Sequence, residues 1–137
     1  MLVYAFHDGV PDHGRYRDWL VAAVSGYEPI GISELVLSGF IRVVTHPRVF
    51  SPPAPIEDAL AFAAALRGQP RAVLIAPGPH HWSIFERLCV ESGARGNLVP
   101  DAYLAALAIE SGGEWITTDR DFSRFPGLRW RHPLAEA

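Results

Sequence analysis

Apolar residues along this chain recur with two rhythms. Between about positions 13 and 25, Tyr16, Trp19, Leu20, Ala23 and Val24 fall at helical spacing, which predicts an amphipathic helix. Ser33 is placed to cap a second helix with its body over 35–44. That helix should stop before His46-Pro47, because the residue preceding a proline avoids helical backbone. A third helix is predicted over 56–66, closed by Gly68 and Pro70. Pro79 can open a fourth, running through Trp82, Phe85, Leu88 and Cys89 to Ser92. A fifth, over 101–111, ends at Gly112-Gly113. Short apolar runs at 2–6 and 72–76, and short β-like segments over 114–118 and near 128–130, predict strands, that over 72–76 buried. Strands alternating with helices imply an α/β domain with a mostly parallel sheet.

Composition narrows the class. The 137 residues are expected to form one domain over 1–137 with a single core. A hydrophobic fraction of 49% beside 20% charged residues argues against disorder. No stretch approaches the roughly 18 apolar residues of a membrane span, and no leader pattern is evident at the start. The single cysteine, Cys89, leaves no internal disulfide to form, so a reducing cytoplasm is the expected setting. Cys89 itself reads as a small hydrophobe on a helix. A formal charge of −3 gives no overall attraction to nucleic acid. All 12 basic residues are Arg. Guanidinium forks suit phosphate oxygens, although GC-rich codon usage would produce the same bias. The absence of Lys excludes a P-loop, and a receiver domain of the usual kind.

The candidate chemistry is acidic. Parallel α/β folds gather their sites where strands end and helices begin. Asp119 follows the strand predicted at 114–118, Asp101 lies in the first turn of the helix opened by Val99-Pro100, and Glu34 is the first residue after Ser33. Each has an ordinary explanation as a helix-start or turn residue, as has Asp121. Together they would crowd negative charge at one end of a sheet, which is costly unless a cation neutralises it. Oxygen ligands without Cys or paired His suit Mg²⁺ or Mn²⁺. Ala105 and Ala108 would let the helix bearing Asp101 pack closely on the sheet, and Thr117 could add a hydroxyl to the pocket. His46 and the His80-His81-Trp82 run are expected to be structural. Near the C-terminus, Arg120, Arg124, Arg129, Arg131 and His132 are interleaved with Phe122, Phe125 and Trp130. Such a mixture can hold phosphates and stack bases, or it can close a core with aromatics while the arginines face water.

The segment "LVPDAYLAALAIESGGEWITTDRDFSRFPGLRW" resembles the C-terminal half of PIN-domain ribonucleases, most nearly the VapC toxins of bacterial toxin–antitoxin pairs in the mycobacterial and actinomycete group. "LVLSGFIRVVTHPRVF" and "PGPHHW" are similar to the same group, so the likeness covers nearly the whole chain. It implies a three-layer α/β/α sandwich with a mostly parallel central sheet and a Mg²⁺-dependent (or Mn²⁺-dependent) acidic pocket that hydrolyses RNA. By matching position Asp101 and Asp119 become metal ligands and Asp121 an accessory acid. Many PIN domains carry their third acid about a turn and a half further along the helix, where this chain has Ser38 and Gly39. Glu34 is therefore the candidate for that catalytic role from one turn earlier, on a polar stripe with Ser38 and Arg42, and Thr117 is the accessory hydroxyl. Arg42, Arg120 and Arg124 are the candidate RNA-binding cations. The family's first strand, of the form Val-Asp-x-Asn-x-Leu-Val-Tyr-Ala, normally carries a further metal-binding Asp. Here that position would precede Met1, and upstream codons are expected to encode it. A VapB-like antitoxin and a homodimer are the implied partners. The alternatives are a catalytically impaired PIN fold that sequesters an antitoxin, and a PIN nuclease of RNA processing.

Overall fold

The computed structural model describes residues 1–135, so the last two positions of the expected 1–137 domain lie outside the described residues. It divides into two compact units, Met1–Ile75 and Ala76–Ala137. Among the described residues there are six α-helices and four short strands, and both strand pairs are parallel.

The first unit holds α1 (Leu2–Phe6), α2 (His13–Ser25), β1 (Ile30–Ile32), α3 (Glu34–Val44), α4 (Ile56–Arg67) and β2 (Ala72–Leu74). Three of the helices match the periodicity closely. The segment over 2–6 does not: it is a helix, not the expected strand. The Ala5 and His7 N–H groups donate to the Met1 and Val3 carbonyls, the i to i−4 pattern of a helical turn. Leu2, Val3 and Phe6 pack around Phe40, Val44 and Ala59, with the Phe6 ring edge-on to Phe40 at 5.4 Å and to Phe62 at 5.2 Å. A five-residue apolar run carries too little period to separate helix from strand, and packing decided it. β1 was not anticipated. It pairs with β2 in the register Ile30↔Ala72, Gly31↔Val73 and Ile32↔Leu74. The strand expected to be buried over 72–76 is shorter than that, and Val73 and Leu74 are about half exposed.

The second unit holds α5 (His81–Ser92), α6 (Leu98–Ser111), β3 (Trp115–Ile116), a 3₁₀ turn (Arg120–Arg124) and β4 (Trp130–Arg131). Helix α6 starts three residues earlier than the pattern suggested. Pro100 is accommodated in its first turn, where a missing N–H leaves no helical bond unmade. The core consists of Leu88, Ala102, Ala105, Ala106, Phe122 and Phe125, with Cys89, Trp115 and Trp130 packed against it. The aromatics of the C-terminal segment therefore close a core, as one of the two readings held. Burial raises the Cys89 thiol pKa.

Glu110, near the end of α6, clasps the loop that enters α5. Its carboxylate accepts the Gly78 N–H at 2.7 Å and the His80 N–H at 2.8 Å. A Cβ on residue 78 would stand 2.8 Å from a Glu110 oxygen, so a larger residue there would make the carboxylate shift from the clasp. His81 is buried; its Nε2 lies 2.9 Å from the Tyr103 carbonyl, and its ring meets Tyr103 edge-on at 4.3 Å. Trp82 is largely exposed, and the His46 ring nitrogen accepts the Arg48 N–H. Both histidine segments are structural, as expected.

Leu88 is fully buried. Leu88→Ala should destabilise the protein by about 2–5 kcal/mol. Urea unfolding should show this as a lower midpoint at unchanged slope, with exposed Val90→Ala shifting it by less than about 0.5 kcal/mol. The Gly78 N–H, followed by that of His80, holds the Glu110 carboxyl below its usual range against a smaller opposing effect of burial. The clasp therefore adds stability above the ordinary glutamate range and loses it as pH falls through the depressed value. Glu110→Gln should flatten that acid limb in thermal melts recorded across pH.

Candidate active site

The site is built where β3 ends. β3 and β4 pair in the register Trp115↔Trp130 and Ile116↔Arg131, and the Thr117 N–H extends the ladder to the Arg131 carbonyl at 3.1 Å. Thr117 is buried, and its hydroxyl oxygen accepts the Asp119 N–H at 3.1 Å. Asp119 then caps the 3₁₀ turn, one carboxylate oxygen accepting the Asp121 N–H at 2.9 Å. This local relay fixes the Asp119 backbone and engages one of its two oxygens.

Asp101 sits in the first turn of α6 and is partly buried. Its carboxyl pKa is raised, first by burial and then by the negative charges of Asp119 and Asp121. Asp119 and Asp121 are thus close enough for their charges to oppose ionisation of Asp101. Ordinarily the first turn of a helix favours a carboxylate; here desolvation and like charge win. Asp119 and Asp121 are exposed, and Asp121 lies 3.9 Å from Arg124.

The remaining candidates divide. Arg120 and Arg124 are exposed on the 3₁₀ turn, beside Asp119 and Asp121 in sequence. Arg129 and Arg131 have structural tasks. Arg129 donates to the Gly112 carbonyl at 2.6 Å, satisfying the end of α6, and Arg131 pairs with Glu114 at 3.2 Å. Glu34 and Arg42 belong to the first unit. Glu34 is the first residue of α3, behind the Ser33 cap, and lies 3.8 Å from Arg67 with both side chains more than half exposed. Arg42 is exposed in the last turn of that helix. Ser38, between them on the same stripe, turns its hydroxyl back to the Leu35 carbonyl.

Sequence reasoning missed the Glu110 clasp. The Gly78-Pro79 pair marked a turn, but nothing in the spacing pointed to an acid some thirty residues away.

Comparison with known proteins bears on this arrangement. The family profile described as "PIN domain" matches residues 1–128. The chain belongs to the PIN-domain family. Ribonuclease VapC43 of Mycobacterium tuberculosis is 44% identical over 134 residues, 98% of this chain and 91% of that protein. Ribonuclease VapC33 of the same organism is 38% identical over 136 residues, 99% and 95% of the two chains. The crystal structure of VapBC2 from Rickettsia felis bound to a promoter DNA fragment matches at a TM-score of 0.68. That match covers 95% of this chain and 91% of the other at 22% identity, so it supports a PIN-like α/β fold. No helix among the described residues is long and apolar enough to cross a membrane.

The donor set of this PIN chain suits a hard dication, since carboxylate oxygens are the usual ligands of such ions. A cation beside Asp101 would offset both the burial and the repulsion from Asp119 and Asp121 that raise its pKa. Among the described residues, no three or more His, Cys, Asp or Glu side chains gather into a metal cage.

Because the folded pKa of Asp101 lies above its unfolded value, the unfolded chain releases this proton first as pH rises. Stability is lost from the ordinary carboxylate range up through the raised value, and the penalty is fully in place above it. In metal-free buffer Asp101→Asn should therefore melt higher than the native chain near neutral pH, with the gap closing in acid. Added divalent cation should raise the native melting temperature more than that of the variant.

Proposed function

We propose that this chain is the toxin of a VapBC-type toxin–antitoxin pair, a metal-dependent endoribonuclease that hydrolyses RNA phosphodiester bonds in the cytoplasm. The observation that carries the reading is Asp101, drawn into a partly buried position against the charges of Asp119 and Asp121. Such a placement works against stability and suits a site built for a cation. Names of the relatives, VapC43 and VapC33 ribonucleases, support the same activity.

In this reading the two units together form one PIN domain, and Asp101 and Asp119 hold the ion. Mg²⁺ fits the all-oxygen donors and Mn²⁺ is an acceptable substitute. When bound, the ion would offset charge on the phosphate and lower the pKa of water at the site. The protein's own part is positional. Thr117 and the Asp121 N–H hold Asp119 in one orientation, and Asp121 adds negative charge from the turn. Arg120 and Arg124 offer forks to the flanking phosphates. Glu34 is the candidate third acid, one turn earlier than the family position, which holds Ser38 and Gly39 here, and Arg42 a candidate phosphate contact. A VapB-like antitoxin and a second copy of the chain are the proposed partners; the structurally similar Rickettsia felis protein is VapBC2 bound to DNA from its promoter.

The absence of a three-acid group among the described residues favours the second reading, a PIN fold that binds an antitoxin without cutting RNA. One assay separates the two. Purified protein with Mg²⁺ should cleave structured RNA, and chelation should stop it. Asp101→Asn and Asp119→Asn should each lower the rate by about 100-fold or more, and Glu34→Gln by about tenfold. Equal cleavage by the native chain and Asp101→Asn would reject the assigned site. No cleavage, with antitoxin binding intact, would favour the binding protein.

A further inference from the structure

The first unit contains a cleft unrelated to the acidic residues discussed above. It lies at the junction of α1 and α2, holds about 260 Å³, and is lined by Tyr4, Pro11, Asp12 and Tyr16. That is just below the roughly 300–1,000 Å³ of pockets for drug-sized ligands, a size for one flat ring system. Tyr4 on α1 and Tyr16 on α2 meet with centroids 5.1 Å apart and planes inclined at 48°. Tyr16 is buried, while Tyr4 is 38% exposed. The His13 ring nitrogen, 2.9 Å from the Tyr4 carbonyl, ties the start of α2 back to α1.

Asp12 is held unusually. It is a non-glycine residue in the left-handed region, at φ 60°, a conformation that aspartate tolerates better than most side chains. It occupies the N-cap position of α2, where an aspartate ordinarily accepts a helix N–H, yet its side chain caps none. Its ion pair with Arg15 is long, 3.9 Å, and both partners are more than half exposed. The fold thus leaves a carboxylate that does no capping beside two aromatic rings. A carboxylate is an acceptor with two oxygens side by side. Aromatic rings offer a stacking surface to a planar π-system.

We propose that this cleft is a base subsite that takes one unpaired guanine of the RNA, its ring stacked on Tyr4 and its N1–H and N2–H groups donating to the Asp12 carboxylate. Guanine presents two adjacent donors on its Watson–Crick edge, matching the two oxygens. Cytosine and adenine present one amino group there, and uracil one imino N–H. Arg15, beside Asp12, is placed to meet the adjoining phosphate. Proteins that read unpaired RNA do so by stacking bases on aromatics and bonding their edges. The inference rests on RNA being the substrate, but it does not depend on which acids carry out cleavage.

The test is direct binding of the full chain, in chelator so that nothing is cut, to fluorescein-labelled oligouridine hexamers with or without one central guanosine. The native protein should bind the guanosine hexamer at least about fivefold more tightly, roughly what one further hydrogen bond contributes on balance. Asp12→Asn keeps the side-chain volume but replaces one acceptor oxygen with a donor, and should cut the preference to within about twofold while leaving oligouridine binding unchanged. Tyr4→Ala should weaken both complexes, and Tyr4→Phe should restore them. Circular dichroism and melting temperature verify that each variant is folded. A preference that survives Asp12→Asn, or a native chain that does not distinguish the two hexamers, overturns the subsite. Loss of RNA cleavage with the guanosine preference intact would instead reject the ribonuclease reading and leave the subsite standing.

Discussion

Close packing of α6 through alanine is the constraint on which the second unit depends. Ala102, Ala105 and Ala106 are fully buried against Leu88, Phe122 and Phe125, with no more than a methyl group to separate the helix from its neighbours. A larger side chain at any of them would push the helix outward, at about 1–3 kcal/mol for overpacking. Asp101 directly precedes this face. The position of a charged group is therefore set by apolar packing that it takes no part in.

Folding then brings that carboxyl into a setting that opposes its charge. Burial and the neighbouring acids raise its pKa, while Glu110, at the other end of the same helix, experiences the reverse. Two backbone N–H groups reach Glu110 and hold it ionised. One helix thus presents a carboxylate satisfied by the protein and another left in want of a counter-charge. The first is a structural fastening. In the proposed reading the second serves a cation; the chain belongs to the PIN-domain family, and a relative it matches is named as a ribonuclease.

Asp119 is fixed by a different means. Its backbone is held by the Thr117 hydroxyl and its side chain by the Asp121 N–H, all within five residues of sequence. Such a short-range device does not rely on distant packing. This is why the Thr-x-Asp-x-Asp pattern is informative in the sequence, whereas the Glu110 clasp and the Asp12 cleft were not.

Three helices of the first unit were legible with nearly correct ends because long amphipathic periods and caps are local properties. The α/β class followed from the alternation of helices with apolar runs, and the family from the motif around Asp101 and Asp119. Short segments were not legible. Residues 2–6 became a helix and 30–32 a strand because runs of three to five residues carry no decisive period, and their partners lie elsewhere in the chain. The sequence by itself determined which acids were available and which turn holds Asp119. Only tertiary structure decided that Asp101 is desolvated against like charge while Glu110 is satisfied, because burial and electrostatic neighbours are properties of space, not of residue type.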